Sequence, residues 1–296
     1  MNILTDLVFY KENQISIRSK ISYYRKLGIS SLIIPSPGKT TEESIDDLCH
    51  ISNLFWQADI IVFVEVDPIE ACKDLLGTDI IDWKDPKIRS GFYKFINYLS
   101  KYGTRGIYYK NLEKLWAYSN GSYQQFDNFI RELGKNTLQN KQSLAIASIN
   151  TDDKKLQKII LDSGIYNFDG VEIEDRGYDD LLDFKKSIAD KDLNLGHKKL
   201  SDSSKSLMKL TNFKNFPYQS QTLAAGLNFF LNSYPVINKN EEFGSFIPKQ
   251  NSNDYNLLKE SEQILDYYKK LIEIRRDNLA LRQELLGRYL IMIRTY

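Results

Sequence analysis

The chain has 296 residues, 42% hydrophobic and 27% charged, a globular composition with room for one large domain or two small ones. Lysine and arginine number 40 against 39 acids, so the net charge is +1 and no bulk field draws nucleic acid or anionic lipid. Acids and bases alternate along the chain, as on a solvated surface, and no arginine–aromatic interleaving points to RNA. The opening residues MNILTDLVFYKEN carry acid and base too early for the apolar run of a secretory leader. Apolar runs such as IIVFVEV fall far short of the ~20 residues that cross a membrane, so the chain as given reads as soluble.

One unit recurs along the sequence. Residues 18 to 35, RSKISYYRKLGISSLIIP, set Ile21, Tyr24 and Leu27 at helical spacing, stop at Gly28 and continue into the β-rich SLIIP. Leu48, Ile51 and Leu54 mark a second helix, followed by the strand IIVFVEV at 60 to 66. FYKFINYLSKY, Gly103 and GIYY repeat the pattern over 92 to 109, and a helix near 123 to 134 leads to LAIASI at 144 to 149. KKLQKIILDS, Gly164 and FDGVEI repeat it again over 154 to 173. Further strands are expected at 207 to 212 (LMKLTN) and, after the helical run QTLAAGLNFFL, at 234 to 238 (YPVIN), with a weak first strand at 4 to 9 (LTDLVF). The strands are apolar on both faces, as in a buried parallel sheet.

About eight strands alternating with helices predict an α/β fold, a (β/α)8 TIM barrel, with a doubly wound sheet as the alternative. A long helix near 255 to 278 follows, its apolar stripe formed by Leu257, Ile264, Leu265, Tyr268, Leu271 and Ile272. RYLIMIRTY, at the end of the chain, alternates like a lone strand. The expected division is a barrel over 1–283 and a remnant of a further β domain over 284–296.

In such a barrel the chemistry sits where strands end. The residues there are Glu65, Asp67 and Pro68; Lys110; Asn150; Glu174 and Asp175; Phe213 and Lys214; and Lys239, Asn240, Glu241 and Glu242. Two carboxylates facing one bond would suit glycosidic chemistry, and Glu65 or Asp67 with Glu174 or Asp175 are candidates. The plainer reading makes them helix caps and solvated loop acids. His50 falls in a helix and His197 in a lysine-rich loop, so no metal site or histidine-driven acid–base system is expected. Neither a G-x-S-x-G elbow nor a phosphate-cradling P-loop is present, and no cofactor is implied. Cys49 and Cys72 lack a C-x-x-C partner and read as buried thiols, a disulfide between them being unreadable from spacing. Asn120-Gly121-Ser122 is a glycosylation sequon, meaningful in a secreted chain.

Five segments, in order, resemble the α-amylase family of glycoside hydrolases. ISYYRKLGISSLIIP is similar to that family's "YLKxLGVxxIxLxP", IIDWKDPKIR to "DLNxxNPxVR" and residues 103 to 110 to "GVDGFRxD". PVINKNEEFG is similar to "PxxYxGEEIG", and KKLIEIRRDNLALR to the helix "xLIxLRKxNPALR" that follows the barrel. The resemblance implies an amylase-like (β/α)8 barrel without an inserted B domain and with a truncated C-terminal β domain. It also implies lost chemistry. Tyr108 stands for the family's arginine, Lys110 for its nucleophilic aspartate, Ile149 for its general-acid glutamate, and Phe213 and Lys214 for the histidine and aspartate of "NHD". Glu65 keeps an acid on the third strand, with Ile69 and Glu70 in place of Asn and His. Lysine and isoleucine cannot do the work of a nucleophilic or proton-donating carboxylate.

IYYKNLEKLWAYSN and LAIASINTDDKKLQKIILDS resemble one branch more closely, the catalytically inactive heavy chains of heteromeric amino-acid transporters. That likeness implies a non-enzymatic ancillary barrel. It would lie on the extracellular side of the plasma membrane, held by an upstream anchor absent from these residues, and would partner a multi-pass transporter light chain. The alternatives are a diverged α-glucosidase or α-amylase-type hydrolase using Glu65, Asp67, Glu172, Glu174 or Asp175, and a barrel that binds carbohydrate without turnover.

Overall fold

The computed structural model describes residues 7–12, 17–36, 42–102, 104–138, 143–164, 168–173, 207–208, 222, 225–226, 229, 234–244, 255–278 and 281. Backbone contacts divide the chain into two compact units: one from Met1–Lys11, Ser22–Ser30 and Asp175–Tyr296, the other from Glu12–Ile21 and Ser31–Glu174. The expected boundary at residue 283, Lys214, Glu174, Asp175, His197 and the final strand all lie outside the described residues.

Among the described residues the second unit has the strands β2 (Ser31–Pro35), β3 (Ile61–Val66), β4 (Gly106–Tyr109), β5 (Leu144–Ile149) and β6 (Gly170–Ile173), paired in that order and all parallel. Between them run the helices α2 (Glu42–Trp56), α3 (Pro68–Leu76), α4 (Pro86–Tyr102), α5 (Tyr123–Leu138) and α6 (Lys154–Ile159), the last continued by a π turn over Ile160–Gly164. Parallel strands need such crossovers, and helix-covered faces explain why the strands read as continuous apolar runs.

Register assigns the two faces. Val66, Tyr109, Ala147 and Val171 are paired across four strands, and Ile149 pairs with Ile173. Tyr109 turns toward the helices: its hydroxyl lies 2.7 Å from Thr137 of α5, and its ring meets Phe92 of α4. The other face carries Phe63, Gly106 and Leu144, then Glu65, Tyr108 and Ile146, then Ser148 and Glu172. Gly106 is required there by close approach, because a Cβ would stand 2.4 Å from the Phe63 ring.

The IIDWKDPKIR segment is held by Arg89. Its guanidinium donates to the carbonyls of Trp83 and Lys84, both at 2.8 Å, and to Glu132 of α5 at 3.0 Å. Asp85 receives the Lys87 amide at 2.8 Å, and Pro86 opens α4, where a missing N–H costs nothing.

The first unit pairs β1 (Phe9–Lys11), β8 (Tyr234–Asn238) and β7 (Leu207–Met208) in the order β1-β8-β7, all parallel. The first strand therefore sits later than the expected 4 to 9, because the pairing that defines it is with Val236, Ile237 and Asn238. Here α1 (Ile21–Leu27) stops at Gly28, against which Ile272 of α7 (Tyr255–Asp277) packs. The expected stripe of α7 is buried at Ile264, Tyr268, Leu271 and Ile272, while Leu265 is half-buried.

Candidate functional site

The C-terminal ends of β3 to β6 bring together a polar group on the face opposite the helices. Lys110, two residues beyond Tyr108 and on the same side, donates to Glu65 at 2.6 Å. Glu65 is 8% exposed, so the ammonium neutralises a carboxylate that the fold has largely withdrawn from water. Tyr108 reaches past β5 and donates to Glu172 at 2.6 Å, both residues being fully buried.

Asp67 has a structural occupation. It is the N-cap of α3, its Oδ1 accepting from the amides of Ile69 at 3.0 Å and Glu70 at 3.2 Å, with Pro68 at the first helical position and Gly77 (φ 62) closing the other end. Its Oδ2 accepts from Asn111 at 2.9 Å and Lys114 at 2.7 Å. Burial works against the Lys114 ammonium, but the hydrogen bond and charge of Asp67, with Glu70 behind them, hold its pKa above the usual lysine value. The helix α3 is absent from the sequence-based expectation, although its signals, Asp-Pro before and Gly after, stand in the sequence.

The facing of Ile149 follows from its pairing. It lies on the helix-covered face with Ile173, whereas Ser148 and Asn150 share the alternation of Tyr108 and Glu172. A one-residue offset in a strand exchanges the faces, so Ser148 and Asn150, not Ile149, share the side of Tyr108 and Glu172. Asn150 is anchored through its backbone, its amide donating to Glu113 at 3.0 Å. Among the described residues no group of three or more histidine, cysteine or acidic side chains is placed to hold a metal. His50 is exposed on α2.

The two cysteines are free and buried, in agreement with their reading as packed thiols. Burial, reinforced by the charge of Asp67, pushes the Cys72 thiol up to about 12; burial and Asp46 raise that of Cys49. Neither is poised as a nucleophile.

The first unit has its own strand-end cluster. Glu242, fully buried, accepts on one oxygen from Tyr10 at 2.8 Å and Tyr23 at 2.6 Å. Burial, then the charge of Glu242, raises the Tyr10 pKa far above the ordinary phenol value. Glu241 takes the backbone amide of Asn238 at 2.6 Å. Tyr10 and Tyr23 carry no motif; only their convergence on Glu242 across the fold singles them out.

No protein-family model matches the sequence, and no curated protein matches it significantly. Solved structures do. A debranching enzyme from Nostoc punctiforme, soaked with acarbose, superposes with a TM-score of 0.66 at 13% identity, covering 95% of this chain and 83% of that one. A trehalulose synthase gives 0.67 at 12% identity, over 95% and 85% of the two chains. An α-amylase from Geobacillus thermoleovorans, complexed with acarbose, gives 0.63 at 13% identity, over 94% and 80%. The fold is thus α/β, an amylase-like (β/α)8 barrel. No helix among the described residues is long and apolar enough to cross a membrane.

Proposed function

We propose that this chain is a non-catalytic amylase-fold barrel, a pseudo-glycosidase that works as a folded scaffold. The observation that carries this reading is the Lys110–Glu65 pair at 2.6 Å. By the motif resemblance Lys110 stands for the nucleophile on the fourth strand, and it is paired with Glu65 on the third. Tyr108 binds Glu172 in the same way. A carboxylate so engaged is a poor attacking group, and a general acid needs a carboxyl on the inward side of β5, where Ser148 and Asn150 stand. The motif resemblance supports the finer reading, an ancillary heavy chain of a heteromeric amino-acid transporter at the extracellular side of the plasma membrane, with a multi-pass light chain as partner.

The structural neighbours favour the second reading at least as strongly, because they are glycoside-processing proteins and two carry acarbose. In that reading Glu65 and Glu172 are the acids of a diverged α-glucosidase or amylase-type hydrolase, or the barrel binds α-linked saccharide without cleaving it. The deciding experiment measures turnover of maltose and p-nitrophenyl α-glucoside, and calorimetric binding of acarbose. The scaffold reading expects neither heat nor product, together with co-purification alongside a co-expressed amino-acid transporter light chain. Turnover abolished in Glu172→Gln or Glu65→Gln would establish the hydrolase instead; acarbose binding without turnover would establish the carbohydrate-binding barrel.

A further inference from the structure

The connection between β4 and α5 carries the sequence's single Asn-x-Ser/Thr triplet, Asn120-Gly121-Ser122. It sits in a tight turn between a 3-10 helix (Leu112–Tyr118) and α5. Asn120 (φ 54) and Gly121 (φ 71) both take the left-handed conformation, which asparagine and glycine adopt most readily. The turn is closed from inside: the amides of Ser119 and Ser122 donate to the carbonyls of Trp116 at 3.0 Å and Ser119 at 2.9 Å. Ser119, fully buried, adds a hydroxyl bond to the Trp116 carbonyl at 2.8 Å. Outside, all three triplet residues are exposed, and a Cβ on Gly121 would meet nothing within 4 Å. Among the described residues the Asn120 side chain has no hydrogen-bond partner, whereas Ser119 and Ser122 do the local bonding.

We propose that Asn120 is an N-glycosylation site. The inference rests on the reading of the barrel as an extracellular scaffold, since it needs passage through the secretory compartment. The donor is a lipid diphosphate-linked oligosaccharide. The Asn120 Nδ2 forms the bond to the reducing-end sugar, the bond from that sugar to the diphosphate breaks, the lipid diphosphate leaves with the electron pair, and one amide proton is released. The fold then has only to tolerate the product, and the open surroundings of the turn do so. The turn follows β4, so the glycan would stand at the strand-end edge of its unit, on the same connection as Lys110 and Lys114. A macromolecular partner would then dock elsewhere on this unit.

The test expresses the full chain behind a heterologous secretion leader in eukaryotic cells. The mass is compared before and after peptide-N-glycosidase F, in lysate and medium alike, so that retained protein also counts. One glycan is expected, with Asn120 converted to Asp on enzymatic release. Asn120→Asp, which keeps a residue tolerant of the left-handed turn, and Ser122→Ala abolish the shift, whereas Ser122→Thr preserves it. An unshifted wild-type chain, or a shift retained in Asn120→Asp, overturns the proposal. Glycan occupancy is independent of maltose turnover and of light-chain association, so a glycosylated active hydrolase would sink the scaffold reading alone.

Discussion

Replacing Asp67 by alanine separates a structural acid from a catalytic one. The change removes an N-cap that serves two amides, which costs about 1 kcal/mol. It also removes the acceptor for Asn111, a hydrogen bond to a charged group, at roughly 1–2 kcal/mol. The Lys114 contact adds less than about 1 kcal/mol, because its side chain is 40% exposed and screened by solvent. Asp67→Ala should therefore lose about 3 kcal/mol. Unfolding entropy of roughly 2.1 cal/mol/K per residue converts this into a fall in Tm of about 5 °C for a chain of this length. Asp67→Asn retains an oxygen for the two capping amides and loses mainly the Oδ2 contacts, so it should fall by about two thirds as much. The assay is calorimetric melting of both variants beside the wild type. An unchanged Tm in Asp67→Ala, or equal losses in the two variants, would refute the division into cap and ion pair. A loss of glycoside turnover in Asp67→Asn at unchanged Tm would refute the structural assignment altogether.

Further outcomes follow from other contacts. Gly106→Ala places a methyl inside the Phe63 ring's space and should cost about 1–3 kcal/mol in urea unfolding, with Phe63→Leu restoring most of the loss; a neutral Gly106→Ala would count against the packing described. Tyr108→Phe removes a donor from a buried carboxylate and should destabilise by roughly 1–3 kcal/mol, more than Tyr123→Phe at the start of α5, where the partly exposed ring donates to Asp153. Burial raises the pKa of Tyr10, Tyr93, Tyr109 and Tyr268, aided by Glu242 at Tyr10, Glu132 at Tyr93 and Glu241 at Tyr268, and opposed by Thr137 at Tyr109. Folded values above the unfolded value of about 10 mean that stability is intact below pH ~10 and is lost as pH rises beyond it. Absorbance at 295 nm should show these phenols ionising together with unfolding; smooth titration in the folded chain would contradict their burial. Cys49 and Cys72 should resist a disulfide-exchange reagent at neutral pH until denaturant is added, and rapid labelling of the native chain would show that burial does not protect them.

The repeated helix–glycine–strand pattern was legible because it is local. A Gly stop such as Gly28, an apolar run such as Ile61–Val66 and the cap at Asp67 each act within a few residues. Buried parallel strands need apolar side chains on both faces, so their hydrophobicity alone announced the α/β class. The same double-sided burial hid which side of a strand meets the helices, and with it the side on which Ile149 stands. Only pairing with Ile173 and the company of Tyr109 and Val171 settled that. Lys110 and Glu65, 45 positions apart, and Tyr108 and Glu172, 64 apart, meet because register brings their strands level. Tyr10 and Tyr23 reach Glu242 across more than 200 residues. Sequence by itself determined most of the elements, their order and the absence of a carboxylate at residue 110, since those depend on local chemistry; α3 and the bounds of β1 came from the structure. Tertiary structure decided which side chains are neutralised by which, because a charge's partner is chosen by the fold and carries no local mark.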